Sequence, residues 1–134
     1  MVNGIGKLGQ IEILKPSCNM STVIDGRGGI FNWNPDKDIK EIVLLNLNKN
    51  MVRGNHYHPE FDEYFLVISG SVVLVTRDKE TGKDLNMLMG PGSSWKSPAY
   101  VPHAIHAIKE STCMAFLTKP WDECKNPIIF EDLI

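Results

Sequence analysis

Short apolar segments separated by clusters of turn-forming residues run through this chain, and that rhythm leaves little room for anything but strands. The apolar segments fall at Ile11–Leu14, Ile30–Trp33, Ile39–Leu47, Tyr64–Ile68, Val72–Thr76, Ala104–Ile108 and Met114–Leu117. Between them stand Asp-Gly-Arg-Gly-Gly at 25–29, Asn-Pro-Asp at 34–36, Ser-Gly-Ser at 69–71, Thr-Gly-Lys at 81–83 and Gly-Pro-Gly at 90–92. Gly, Pro, Asn and Asp supply the backbone angles that turns need, and strands at such spacing predict a sandwich or barrel. No window of eleven or more residues carries a convincing helical repeat. Ile39–Leu47 and Ser71–Arg77 are apolar on both alternating faces, which predicts that at least one of them is covered on both sides, by a second sheet or a partner subunit. The first ~20 residues have the weakest pattern and are expected to form an arm. The 134 residues otherwise predict one domain around one core.

Several function classes are set aside by composition. The formal net charge is −2, with acids and bases scattered along the chain, so no basic stripe for phosphate neutralisation exists and no nucleic-acid partner is expected. Apolar runs such as Ile42–Leu45 and Phe65–Ile68 are too short to span a bilayer, and the opening Met-Val-Asn-Gly-Ile-Gly-Lys is not a secretion signal. Cys18, Cys113 and Cys124 show neither close pairing nor metal-type spacing. They read as reduced thiols, which points to a cytoplasmic protein.

The chemistry concentrates on histidine. The four histidines form two groups, His56-Tyr-His58 and His103-Ala-Ile-His106. Along a strand His56 and His58 share a face while Tyr57 points away, and His106 opposes His103 unless a bulge re-aims it. Glu63 and Gly70 complete a run H-x-H-x4-E-x6-G, and Gly92-x5-Pro98-x4-His103 returns a further imidazole on a later strand. Three imidazoles and a carboxylate offer mixed nitrogen and oxygen donors for a divalent metal with positions left open. The alternative is a hydrogen-bonded polar patch without metal.

These two runs resemble the motifs of the cupin superfamily, from about Ile39 to Leu117. The resemblance implies an all-β fold, a small antiparallel double-stranded β-helix or jelly-roll barrel. It also implies a metal site at His56, His58, Glu63 and His103, for Zn, Fe, Mn or Ni, with no organic cofactor. Tyr100 stands where the second motif usually has Gly, and Ala107 where it often has Asn; neither position supplies a ligand.

A narrower likeness lies in Asp25-Gly-Arg27-Gly28 followed by Arg53-Gly54-Asn-His56-Tyr57-His58. This order is similar to the sugar-nucleotide branch of the cupins. That branch holds dTDP-4-dehydrorhamnose 3,5-epimerase, the dTDP-4-keto-6-deoxyhexose 3,4-ketoisomerases and the cupin domain of a capsular-polysaccharide reductase. It implies an isomerase or epimerase that abstracts a proton beside the ketone of a nucleoside-diphosphate-linked 4-keto sugar, working as a homodimer. Such chemistry needs a base that is free near neutral pH, a holder for the developing oxyanion and cations for the diphosphate. His56 and His58 are the base candidates, with His56 the more direct match. Arg27 and Arg53 are the phosphate candidates; a turn residue and a solvated strand end are the plainer roles for them. Tyr64 and Tyr100 are candidate proton donors, although rim packing is commoner for such residues. Trp33, Trp95 and Trp121 are candidates for stacking on a base or sugar ring, with ordinary packing expected for at least two. The 3,5-epimerases usually carry Gln where this chain has His58 and work without metal, so a base and a metal ligand compete here for the same imidazoles. The other functions open to the motifs are a metal-dependent dioxygenase or small-acid isomerase, and a non-catalytic cupin that binds a sugar or small ligand.

Overall fold

A computed structural model of the chain describes residues 6–16 and 23–134. Its strands are β1 (Lys7–Leu8), β2 (Ile11–Leu14), β3 (Val23–Asp25), β4 (Gly28–Ile30), β5 (Glu41–Leu47), β6 (Val52–Tyr57) and β7 (Glu63–Ser69). They continue as β8 (Val72–Arg77), β9 (Asp84–Met89), β10 (Ser94–Ser97), β11 (His103–Ala107), β12 (Ser111–Leu117) and β13 (Ile129–Phe130). A single 3-10 turn covers Trp121–Glu123 among the described residues. One sheet runs β1-β2-β10-β7-β12-β5 and the other β13-β6-β11-β8-β9, every pairing antiparallel; β3 and β4 form a separate hairpin. This is the all-β jelly roll expected from the sequence. No helix among the described residues is long and apolar enough to cross a membrane.

Alternation along the strands explains which face each sheet buries. On β12, Cys113, Ala115 and Leu117 point inward while Thr112, Met114 and Phe116 stay partly exposed. The inward faces of both sheets meet in a core that includes Ile11, Phe65, Leu74, Trp95 and Ile105. Phe65 and Trp95 stack at 4.6 Å between ring centroids. Truncating Phe65 to Ala would remove that contact and leave a void, a loss of about 3–5 kcal/mol. Burial pushes the Cys113 thiol up to about 11, so it sits in this core as a protonated, inert group. Cys113 and Cys124 are free, and Cys18 lies outside the described residues.

Some elements differ from the sequence expectations. Residues 7–14, expected as part of an arm, form β1 and β2 and enter the larger sheet, where Ile11 is fully buried. Of Ile30–Trp33 only Ile30 is in a strand. Strand β10, Ser-Trp-Lys-Ser, carries no apolar rhythm because its polar members find partners: the Ser94 hydroxyl donates to the Phe65 carbonyl and Lys96 to Asp36. Double-sided cover, expected for at least one of the two doubly apolar segments, is found at β8, whose outward Val75 is buried; the outward Ile42 and Leu44 of β5 are 63 % and 65 % exposed. The glycine that ends the first histidine motif has a steric cause. Gly70 turns from β7 to β8 at φ 88°, where a Cβ would come within 2.5 Å of the Glu110 carbonyl oxygen.

Candidate active site

A cavity of about 570 Å³ opens between the two sheets. His56, His58, Glu63 and His103 line it together with Glu41, Arg53 and Trp121. Strand β6 delivers His56, and His58 follows directly after its end; Glu63 opens β7 and His103 opens β11. His103 pairs with His56 across the sheet, so the two share a face. The ring centroids of His56 and His58 lie 4.6 Å apart, and each lies about 5 Å from His103 at 5.0 and 5.1 Å. One ring nitrogen from each of the three falls within 4.8 Å of the others. Glu63 Oε1 lies 3.3 Å from His103 Nε2 and 3.7 Å from His58 Nε2.

Main-chain carbonyls set the ring orientations from behind. His58 Nδ1 donates to the Pro127 carbonyl at 2.9 Å, and His103 Nδ1 to the Val101 carbonyl at 3.2 Å. A carbonyl only accepts, so Nδ1 holds the proton and Nε2 is the nitrogen turned to Glu63. His58 Nε2 is buried and has no hydrogen-bond partner. An orphaned imidazole nitrogen with its opposite nitrogen bonded to a carbonyl is the usual arrangement of a metal-binding histidine. The residues present therefore fit a divalent ion, with the three imidazoles as its holders and Glu63 beside them.

Burial pushes the His56 imidazole down to about 4, and the neighbouring His103 and His58 push it the same way, against the pull of Glu63. It is neutral at physiological pH. Burial would raise the Glu63 carboxyl, but the neighbouring His103 and His58 outweigh it and hold the group well below the usual carboxylate range. The cluster thus combines a fixed anion with a free imidazole.

Arg53 reaches this cavity through an irregularity. In an unbroken strand it would face away from His56. The β6–β11 register shifts by one: His103 opposes His56, whereas Ala104 opposes Gly54 and Ile105 opposes Arg53. Asn55 is the extra residue, in the left-handed region at φ 58°. Gly54 beside it has φ 102°, and a Cβ there would lie 2.7 Å from the His103 carbonyl oxygen, so only glycine fits. The bulge swings the exposed Arg53 onto the face of Ile105 and into the cavity lining.

Two other candidates are not brought to the cavity. Tyr100, at φ 69°, donates its amide to the His58 carbonyl, but its ring lies 6.0 Å from Tyr57 with Lys79 above it, and it is not among the lining residues. Arg27 sits at the tip of the β3–β4 hairpin, 89 % exposed along its side chain and bound to Asp25 at 2.8 Å. Of the aromatic candidates, Trp95 serves as core and cavity wall, Tyr64 faces the outer side of the sheet and bonds Asp36, and Trp33 lines a separate outer pocket. Trp121 meets His58 edge-on at 6.2 Å. His106 lies between Val52 and Val73 and outside the cluster. Sequence reasoning overlooked Glu41, which accepts the Trp121 amide at 3.0 Å, and Asn55, for which the Gly54-Asn55 pair was the available bulge signal.

The family model of the cupin domain matches residues 43–118, more than half of the chain. The chain belongs to the cupin family. No curated protein matches this cupin by sequence. Solved structures share its fold at low identity. A mutant 3,4-ketoisomerase from Thermoanaerobacterium thermosaccharolyticum, in complex with TDP-4-keto-6-deoxyglucose, is 15 % identical with a TM-score of 0.72, the match covering 92 % of this chain and 88 % of the other. The dTDP-4-dehydrorhamnose 3,5-epimerase from Sulfolobus tokodaii is 21 % identical at a TM-score of 0.66, covering 84 % and 73 %. The capsular polysaccharide assembling protein CapF from Staphylococcus aureus is 17 % identical at 0.65 over 84 % of this chain, which spans only 32 % of that protein.

Proposed function

We propose that this cupin is an isomerase or epimerase of a nucleoside-diphosphate-linked 4-keto sugar. The observation that carries the reading is the bulge at Asn55, which sets a cation, Arg53, and a neutral imidazole, His56, on one wall of a cavity large enough for a sugar. The fold likeness to a ketoisomerase and an epimerase of such sugars supports it. His56 takes the proton next to the ketone at a ring nitrogen, since it is neutral near pH 7 and, unlike His58 and His103, not paired with Glu63. Arg53 meets the diphosphate by charge-assisted hydrogen bonds, and the partly exposed Trp121 in the cavity lining offers an apolar surface for the base or sugar. Glu63 faces the Nε2 atoms of His58 and His103 at 3.7 and 3.3 Å and completes the polar wall of the cavity. A screen of nucleoside diphosphates for thermal stabilisation tests the reading, because binding raises apparent stability with ligand excess. Stabilisation by at least one is expected; none by any would contradict it.

The orphaned Nε2 of His58 favours a second reading, a metal-dependent cupin of another class. His56, His58 and His103 with Glu63 would hold Zn, Fe, Mn or Ni, and the bound ion would act as a Lewis acid on a carbonyl. An imidazole that ligates cannot take a proton, so His56 serves one role at a time. Metal analysis of purified protein and of the His58→Gln variant separates the readings: a stoichiometric metal that falls sharply in the variant supports the second.

The uncovered outer face of β5, with Ile42 and Leu44, supports a homodimer in which a second copy covers it. Light scattering should give about twice the 15.0 kDa chain mass, and a monomer at micromolar concentration would contradict it.

A further inference from the structure

The segment that follows the barrel passes behind the histidine cluster and supplies one of its anchors. Pro127 contributes the carbonyl that accepts the His58 Nδ1 proton. Two side chains flanking the His56–His58 pair grip the chain on either side of that proline. On one side, the Asn126 amide donates to Glu60 Oε2 at 2.6 Å, while Lys119 donates to Glu60 Oε1 at 2.9 Å. On the other, the bulged Asn55 is saturated: its Oδ1 accepts the Leu133 and Ile134 amides at 2.9 and 3.1 Å, its Nδ2 donates to the Ile134 oxygen at 3.0 Å, and its own carbonyl accepts from Glu131 at 2.8 Å. Between the two grips, β13 pairs with β6 at Ile129–Tyr57 and Phe130–His56. Arg77 adds a third hold, on Glu131 at 3.1 Å and on the Asp132 carbonyl at 3.2 Å.

We propose that Glu60 and Asn55 are positioning residues that clamp residues 126–134 on both sides of Pro127 and thereby fix the His58 ring with Nε2 toward the cavity. A histidine ring has two ways to face a site, differing by a flip about χ2, and only a fixed partner on one nitrogen selects between them. Here the partner is a main-chain carbonyl in the bend just before β13, a two-residue strand at the edge of the five-stranded sheet, and these side chains tie that segment to the barrel on both sides. Glu60 acts at the shorter lever, one residue from Pro127. Asn55 acts at the far end and does so from the same bulge that turns Arg53 inward, so one left-handed residue sets two parts of the site. The inference concerns the shape of the cluster and not its ligand, so its failure leaves the isomerase reading standing, and failure of that reading leaves the clamp.

The test is nitrogen-15 NMR of the histidine rings beside amide hydrogen exchange, in the full chain without ligand. The parent should show a slowly exchanging, hydrogen-bonded Nδ1 proton on His58 and protected amides at Asn126, Leu133 and Ile134. Asn55→Gly keeps the left-handed backbone but removes the clamp, and Glu60→Ala removes the other. In the double variant the three amides should exchange at least tenfold faster, and the His58 Nδ1 proton should be lost to solvent while the His103 signal stays. Glu60→Gln retains an acceptor for Asn126 and should restore the His58 signal. If the double variant does not fold, the comparison of Glu60→Ala with Glu60→Gln carries the test alone. A His58 Nδ1 proton that survives Glu60→Ala unchanged, or amides that remain protected in the double variant, would overturn the proposal.

Discussion

Adjacent residues of β7 serve two polar clusters on opposite faces of one sheet, and the clusters differ in what they leave unpaired. Glu63 points into the cavity beside His58 and His103. Tyr64 points outward and donates to Asp36, which also accepts from Lys96 at 3.0 Å. In the outer cluster every charge meets its opposite. The buried Asp62 pairs with Lys37 and lies 3.8 Å from Lys96, and it also accepts the Ala99 amide. Burial raises the Asp62 carboxyl, but hydrogen bonding from Lys37 and Ala99 outweighs it and leaves the group lowered. The inner cluster instead presses three imidazoles together around one carboxylate and leaves His58 Nε2 with no hydrogen bond. A closed set of pairs is what stability selects; crowded basic nitrogens with an open position are what chemistry needs. The comparison predicts that damage to the inner face removes function and spares the fold, and that damage to the outer face does the reverse.

The largest expected effect falls on His56. Replacing it with Ala should lower turnover by about 10²–10⁴-fold, the usual worth of a general base, with thermal stability little changed. Loss of folding instead of turnover would erase the contrast between the faces. Next comes Arg53→Ala, which should weaken nucleotide binding by about 1.5–3 kcal/mol, as expected for a charge-assisted hydrogen bond. Calorimetry would read this as a roughly ten- to hundredfold rise in Kd at unchanged Tm. An unchanged Kd would remove the cation from the account. On the outer face, Lys96→Met removes the buried ammonium beside the buried Asp62, and unfolding free energy should fall by about 1–3 kcal/mol with ligand affinity untouched. A smaller effect follows from acid. The Tyr64 hydroxyl, then Lys96, hold the Asp36 carboxyl down at about 2 in the folded chain. Its folded value lies below the ordinary 3.8, so its contribution is complete above about pH 4 and is lost as pH falls toward 2. Tyr64→Phe should make the decline of stability over that interval shallower; an identical slope would exclude Asp36 as a contributor.

The inner cluster was far more legible in the sequence than the outer one. His56, His58, Glu63 and His103 announce themselves because strand alternation and fixed motif spacing translate directly into a shared face. Arg53 is a candidate by resemblance and by the bend that Gly54 permits, but alternation alone turns it away, because a one-residue register slip reverses every side chain beyond it and the slip depends on Asn55 adopting a left-handed backbone. Tyr100 illustrates the converse: it stands as a candidate proton donor, whereas a positive φ directs its ring to Tyr57 and away from the cavity lining. Strand β10 was hidden because Ser94, Lys96 and Ser97 are buried polar residues, which no hydrophobic rhythm reveals. The outer cluster joins Asp36, Asp62 and Lys96 from distant parts of the chain, so only the folded sheets bring it together.

The central claim, a proton moved beside a sugar ketone by His56, is tested most directly by solvent exchange. The protein and its His56→Ala variant would be incubated in D2O with TDP-4-keto-6-deoxyglucose, and the protons next to the ketone followed by NMR. The account predicts deuterium at the carbon beside the ketone with the parent, and incorporation at least a hundredfold slower with the variant. No exchange with the parent while the nucleotide sugar binds would contradict it.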